Sequence, residues 1–106
     1  MSRRAFERAA FQGKVAICRK RDAVVAVGRD VGAGGMLLET PEPLPARSFL
    51  TLRVVFAADR WAVTVLGRVL RSEGRRAAIE FLGLKPSERA HIVDEVLRGG
   101  ALALAG

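Results

Sequence analysis

Tyrosine is absent from this chain of 106 residues, and cysteine, histidine and tryptophan each occur once. A single cysteine, Cys18, excludes an internal disulfide, and with a lone His91 it leaves no Cys/His metal site. Cys18 is expected to behave as an inert, small, buried hydrophobic residue. No apolar run approaches the roughly 18 to 20 residues of a membrane span, and the basic start MSRRAFERAAF is not followed by a signal-peptide core. The expectation is a soluble, cytoplasmic protein with no membrane insertion. Catalytic signatures are missing too. No serine, histidine and carboxylate set has a recognisable spacing, and nothing marks Ser48, Ser72 or Ser87 as an activated nucleophile. No enzyme is expected, and no cofactor.

What is abundant is positive charge, with a net +7. The excess is concentrated at the front: the first thirty residues hold eight of the eighteen basic side chains and three of the eleven acidic ones. Arginine far outnumbers lysine, and its planar fork suits phosphates and ring faces. The same excess also follows from a general compositional bias toward arginine. DNA or RNA is not expected as a partner, because there is no tyrosine and the five phenylalanines and the tryptophan fall largely on apparent core faces, leaving no stacking platform.

A chain of this length buries one core. From Lys14 onward, short alternating runs separated by turn residues predict an antiparallel barrel or sandwich. KVAICRK and RDAVVAVG form a hairpin turning at Arg21 and Asp22. MLLET is a short strand stopped by PEPLP, whose three prolines exclude regular structure. FLTLRVVF places Leu50, Leu52, Val54 and Phe56 on one face, WAVTVLGRVLRS does so with Trp61, Val63, Val65 and Val69, and RRAAIEFLG sets Ala77, Ile79 and Phe81 against outward Glu80. KPSERAHIVDEVLRGG then changes to helical period, with Pro86 in the first turn, Glu88 near the positive end of the dipole, and Gly99 and Gly100 as the stop. Ile92, Val93, Val96 and Leu97 make its apolar stripe. Trp61 and Arg68 are assigned to barrel packing and surface charge.

One stretch stands apart. VGRDVGAGGMLLET, residues 27–40, puts four glycines and an aspartate between two strands. It is neither a dinucleotide fingerprint nor a P-loop, because a strand follows the glycines where a helix is needed. Taken alone, Asp30 suits a turn, the glycines suit a bulge or hairpin, and Arg4 and Arg8 suit a solvated face.

Arg4-Ala5-Phe6-Glu7-Arg8, then Asp30-Val31-Gly32-Ala33-Gly34-Gly35, then the GRVLR of the fifth strand and AIEFLGLKPSERAHIVDEVL at the end, together resemble the PilZ domain, a bacterial receptor for cyclic diguanylate (c-di-GMP). The resemblance runs from Arg4 to about Arg98. It implies a six-stranded antiparallel β-barrel of split-barrel type with one C-terminal helix. It divides the chain into a flexible basic segment at 1–12, the barrel and helix at 13–98, and a tail at 99–106. It also implies a non-enzymatic receptor that relays c-di-GMP binding to an unidentified effector protein. The ligand residues it implies are Arg4, Arg8, Asp30, Gly32, Gly34 and Gly35, with Arg3 and Arg29 as secondary contacts.

The ligand's chemistry fits those residues. Arg4 and Arg8 can bond bidentately to guanine O6 and N7, stack on a base or pair with phosphate. The Asp30 carboxylate can accept from guanine N1 and N2, and Gly34 and Gly35 let the backbone pass close to the ligand. Gly32 departs from the family pattern, which has serine there. The missing hydroxyl costs about 1 kcal/mol, roughly fivefold in affinity. Some PilZ-like domains have lost the nucleotide and act as interaction modules, so an adaptor is the alternative reading.

Overall fold

The computed structural model describes residues 8–56 and 60–97, with the backbone alone for residues 8–13. Strands β1 (Arg8–Cys18), β2 (Ala23–Gly32), β3 (Gly35–Glu39), β4 (Phe49–Phe56), β5 (Trp61–Glu73) and β6 (Arg76–Leu82) are followed by helix α1 (Pro86–Leu97). The strands pair antiparallel in the order β1-β2-β3-β6-β5-β4 and close into a barrel, β4 returning to β1. Closure leaves no edge strand among the described residues. The predicted barrel and helix are therefore the fold. Strand β1 begins at Arg8, ahead of the expected start, while residues 1–7 and the tail from 98 lie outside the described residues.

Alternation builds the core. Val15 and Ile17 of β1, Leu52, Val54 and Phe56 of β4, Val63, Val65 and Val69 of β5, and Ala77, Ile79 and Phe81 of β6 all point inward and are buried. Each large side chain so buried contributes about 1.5–3 kcal/mol. Gly67 also faces inward, where a Cβ would lie 2.6 Å from Ile79 Cγ2.

Cys18 is exposed, which corrects its expected burial: it follows the inward Ile17 at the end of β1, so alternation turns it to solvent. Phe49 is also 61% exposed, away from the core face assigned to the phenylalanines.

Left-handed Gly83, at φ 71°, turns the chain from β6 into the helix, a conformation that glycine adopts without penalty. At the helix start, Glu88 Oε1 accepts the Lys85 amide at 2.9 Å, half of a capping box, with Pro86 in the first turn. Ile92 and Val96 close one end of the barrel with Leu84, while Val93 is only half-buried and Leu97 is 45% exposed. The apolar stripe is thus narrower than predicted, and buried Glu95 shares it. His91 Nε2 lies 3.6 Å from Glu95 Oε1, and the imidazole stacks on Trp61 at 3.9 Å.

Candidate functional site

Among the described residues, the pairing register shifts at three places in the barrel. On β1 the register shifts between Ala10 and Gly13, on β2 between Gly28 and Asp30, and on β5 between Val69 and Arg71. All three shifts border one lateral row. Ala10 stands opposite Asp30, Asp30 opposite Leu37, Leu37 opposite Ala78, and Ala78 opposite Arg71. Bulges turn two successive residues to the same face and bend the strand beyond them. Here they leave both Arg29 and Asp30, and both Leu70 and Arg71, out of the core.

The loop beside this row is short. Gly32 pairs with Gly35, so Ala33 and Gly34 form the turn between β2 and β3. Ala33 is buried, and the Gly34 carbonyl accepts the Phe81 amide at 2.9 Å, which ties the turn to β6. The two last glycines differ in kind. A Cβ on Gly35 would lie 1.9 Å from the Ile79 carbonyl oxygen, so the close approach Gly35 permits is that of β6. Gly34 has nothing within 4 Å of its Cβ position and is open to solvent.

Asp30 is half-buried, and its Oδ1 accepts the Leu37 amide at 3.2 Å. Arg8 stands opposite Gly32 on the neighbouring strand, so the sheet brings the start of β1 to the glycine loop. Arg3 and Arg4 lie outside the described residues. Arg29 is engaged: its Nε lies 2.9 Å from Glu39 Oε1, and Arg76 approaches the same oxygen at 3.7 Å. The hydrogen bond from Arg29 holds the Glu39 carboxyl below its ordinary value, against the burial that pushes it up.

Asp30, Gly34, Gly35, Leu37, Arg71 and Glu80 line a cleft of about 450 Å³, within the range of small-ligand sites. Its floor is the apolar pair Leu37 and Ala78, and Glu80 is held by Arg68 at 2.6 Å. Larger hollows run along the helix and beneath the proline segment, but neither contains the aspartate and glycines singled out by the sequence. Arg71, Leu37 and Ala78 were not anticipated. The signal for Arg71 was the break in alternation at Val69-Leu70-Arg71, where an apolar residue directly follows an inward one.

A six-stranded barrel with this loop beside its first strand invites comparison with known proteins. Residues 2–98 match the family described as PilZ domain. The chain belongs to the PilZ domain family. Among solved structures, the PilZ domain of CeSA from a cellulose-synthesizing bacterium superposes with a TM-score of 0.64 at 17% identity, covering 86% of this chain and 95% of that one. The uncharacterized Legionella protein Lpg0364 is similar at TM-score 0.52 and 15% identity, covering 86% of this chain and 90% of its own. At such identities the likeness is one of fold. No curated protein matches the chain.

Among the described residues of this PilZ domain, no cluster of three or more His, Cys, Asp or Glu could hold a metal. No described helix is long and apolar enough to cross a membrane.

Proposed function

We propose that this PilZ domain is a non-enzymatic receptor for c-di-GMP, acting in the bacterial cytoplasm and passing ligand binding to a partner protein. The observation that carries the reading is the convergence of Asp30 and Gly34 on one cleft, next to the strand that begins at Arg8. Two phosphates call for cations, and Arg4 and Arg8 supply them; guanine N1 and N2 call for an acceptor, and Asp30 supplies it. Ligand held by the arginine segment would then change the surface offered to the partner.

Calorimetric titration of the folded protein with c-di-GMP tests this directly. Saturable heat is expected, weakened strongly by Arg4→Ala and Arg8→Ala. No heat at tens of micromolar ligand would rule the receptor out. Gly32 in place of the family's serine favours a second reading, an adaptor that binds protein and ignores nucleotide. That reading predicts unchanged spectra with ligand, and loss of a co-purifying partner when surface residues outside the arginine segment are altered.

A further inference from the structure

The cleft has a far wall to which the sequence reading assigned no ligand contact. Arg71 closes it on β5, three strands away from Asp30 along the row through Leu37 and Ala78. At the usual strand spacing, the path between the two backbones along the curved barrel wall is about 14 Å. A short carboxylate and a long guanidinium, rising from the two ends of an apolar floor, leave room between them for one flat ring and its hydrogen bonds.

Other arginines on this face are held. Arg68 is bound to Glu80 at 2.6 Å and Arg29 to Glu39 at 2.9 Å. Arg71 is held loosely, with its Nε 4.0 Å from Glu73 and both side chains more than two-thirds exposed. A pair this long and this exposed contributes little to stability. The bulge at Leu70 nonetheless turns Arg71 into the cleft wall, a position that folding does not require.

We infer that Arg71 is a specificity-determining residue that reads guanine from the edge adjoining the one Asp30 reads. This inference rests on the c-di-GMP reading above. One guanine lies on Leu37 and Ala78, with N1–H and N2–H donating to the Asp30 carboxylate, while the Arg71 fork donates to O6 and N7. Adenine fails at both ends: it offers an acceptor at N1 and a donor at N6, so the carboxylate and the guanidinium each meet a group of the wrong kind. Arg4 and Arg8 are left for the phosphates and the second base.

The test is calorimetric titration of the full chain, wild type, Arg71→Ala and Arg71→Lys, with c-di-GMP and with an analogue carrying 7-deazaguanine in place of both guanines. Arg71→Ala should weaken c-di-GMP binding by roughly 10- to 100-fold, and Arg71→Lys should recover only part, because an ammonium on a flexible stem lacks the pre-organised planar fork that matches two adjacent acceptors. Wild type should bind the analogue more weakly than c-di-GMP, and that difference should shrink in Arg71→Ala, leaving only what the second base contributes. Melting temperature should be unchanged by either substitution. If c-di-GMP binds and Arg71→Ala binds it as wild type does, this inference is overturned while the receptor reading stands. If Arg71→Ala loses the same factor for both ligands, the guanidinium meets a phosphate and the base assignment is wrong. If wild type binds neither ligand, the receptor reading fails and this inference with it.

Discussion

The Asp30 carboxylate accepts the Leu37 amide at 3.2 Å across the bulge between β2 and β3. The acid proposed to meet guanine therefore also joins two strands, and its two roles need different substitutions to separate them. Asp30→Ala removes both, and with the half-buried Leu37 amide left unmatched it should cost about 1–2 kcal/mol of stability. Asp30→Asn keeps an acceptor oxygen but loses the charge. It should melt within about 0.5 kcal/mol of wild type yet bind c-di-GMP more weakly. Urea melts followed by Trp61 fluorescence, together with titrations, check both; an Asn variant that binds at full strength would show that the charge is not what the ligand needs.

Gly34 and Gly35 are adjacent but predict opposite outcomes. Gly35→Ala forces a methyl group into the Ile79 carbonyl, which lies 1.9 Å from the Cβ position and belongs to backbone. Separating β3 from β6 should cost about 3 kcal/mol, the upper end of overpacking. Gly34→Ala meets nothing within 4 Å and Gly34 has no left-handed φ, so its stability should hold or rise by about 0.4–1 kcal/mol. If ligand approaches the backbone there, Gly34→Ala should nonetheless weaken binding. Loss of stability in Gly34→Ala, or its absence in Gly35→Ala, would contradict the packing described.

How far the sequence revealed this arrangement depends on the range of the interaction. The inward sets of β4, β5 and β6 were visible because alternation is local, and the helix start was visible because Pro86 and Glu88 sit at fixed offsets from it. Asp30 and the glycines were singled out by the family resemblance, through the order and spacing of its motifs. Arg71 was not, since its place opposite Ala78 depends on the pairing of β6 with β3 and β5 and on a one-residue bulge. The early start of β1 was hidden for the same reason: the register shift between Ala10 and Gly13 breaks the alternation that would have extended the strand back to Arg8. Burial of Glu95 was equally illegible, because helical spacing places it beside Ile92 and Val96 but says nothing of the His91 and Trp61 rings next to it.

Arg29 is expected to serve the barrel more than the ligand. Its hydrogen bond depresses the Glu39 carboxyl below the ordinary 4.5, with Arg76 adding to the effect. A carboxylate whose folded value is depressed adds stability above its unfolded value, and that contribution is lost as pH falls through the folded value. The relevant window therefore lies below about pH 4.5. Arg29→Ala should move the Glu39 titration upward, read by carboxyl-carbon NMR, and should flatten the acid dependence of the urea midpoint in that window. Because a phosphate would have to displace Glu39 from Arg29, the same variant should bind c-di-GMP nearly as well as wild type. A large affinity loss would reassign Arg29 to the ligand.

Gly32 lies buried at the end of β2, opposite Arg8 on one side and Gly35 on the other. Two losses are combined in this glycine: a hydroxyl that could bond to ligand or loop, and the stiffness that any side chain gives a strand. Gly32→Ser restores both, whereas Gly32→Ala restores only stiffness. Relative to Gly32→Ala, Gly32→Ser should bind c-di-GMP about fivefold more tightly, the value of one net hydrogen bond. Equal gains in the two variants would assign the deficit to backbone entropy alone. Equal affinities across wild type, Ala and Ser would mean that position 32 does not limit binding, and the departure from the family pattern would then carry no weight for the adaptor reading.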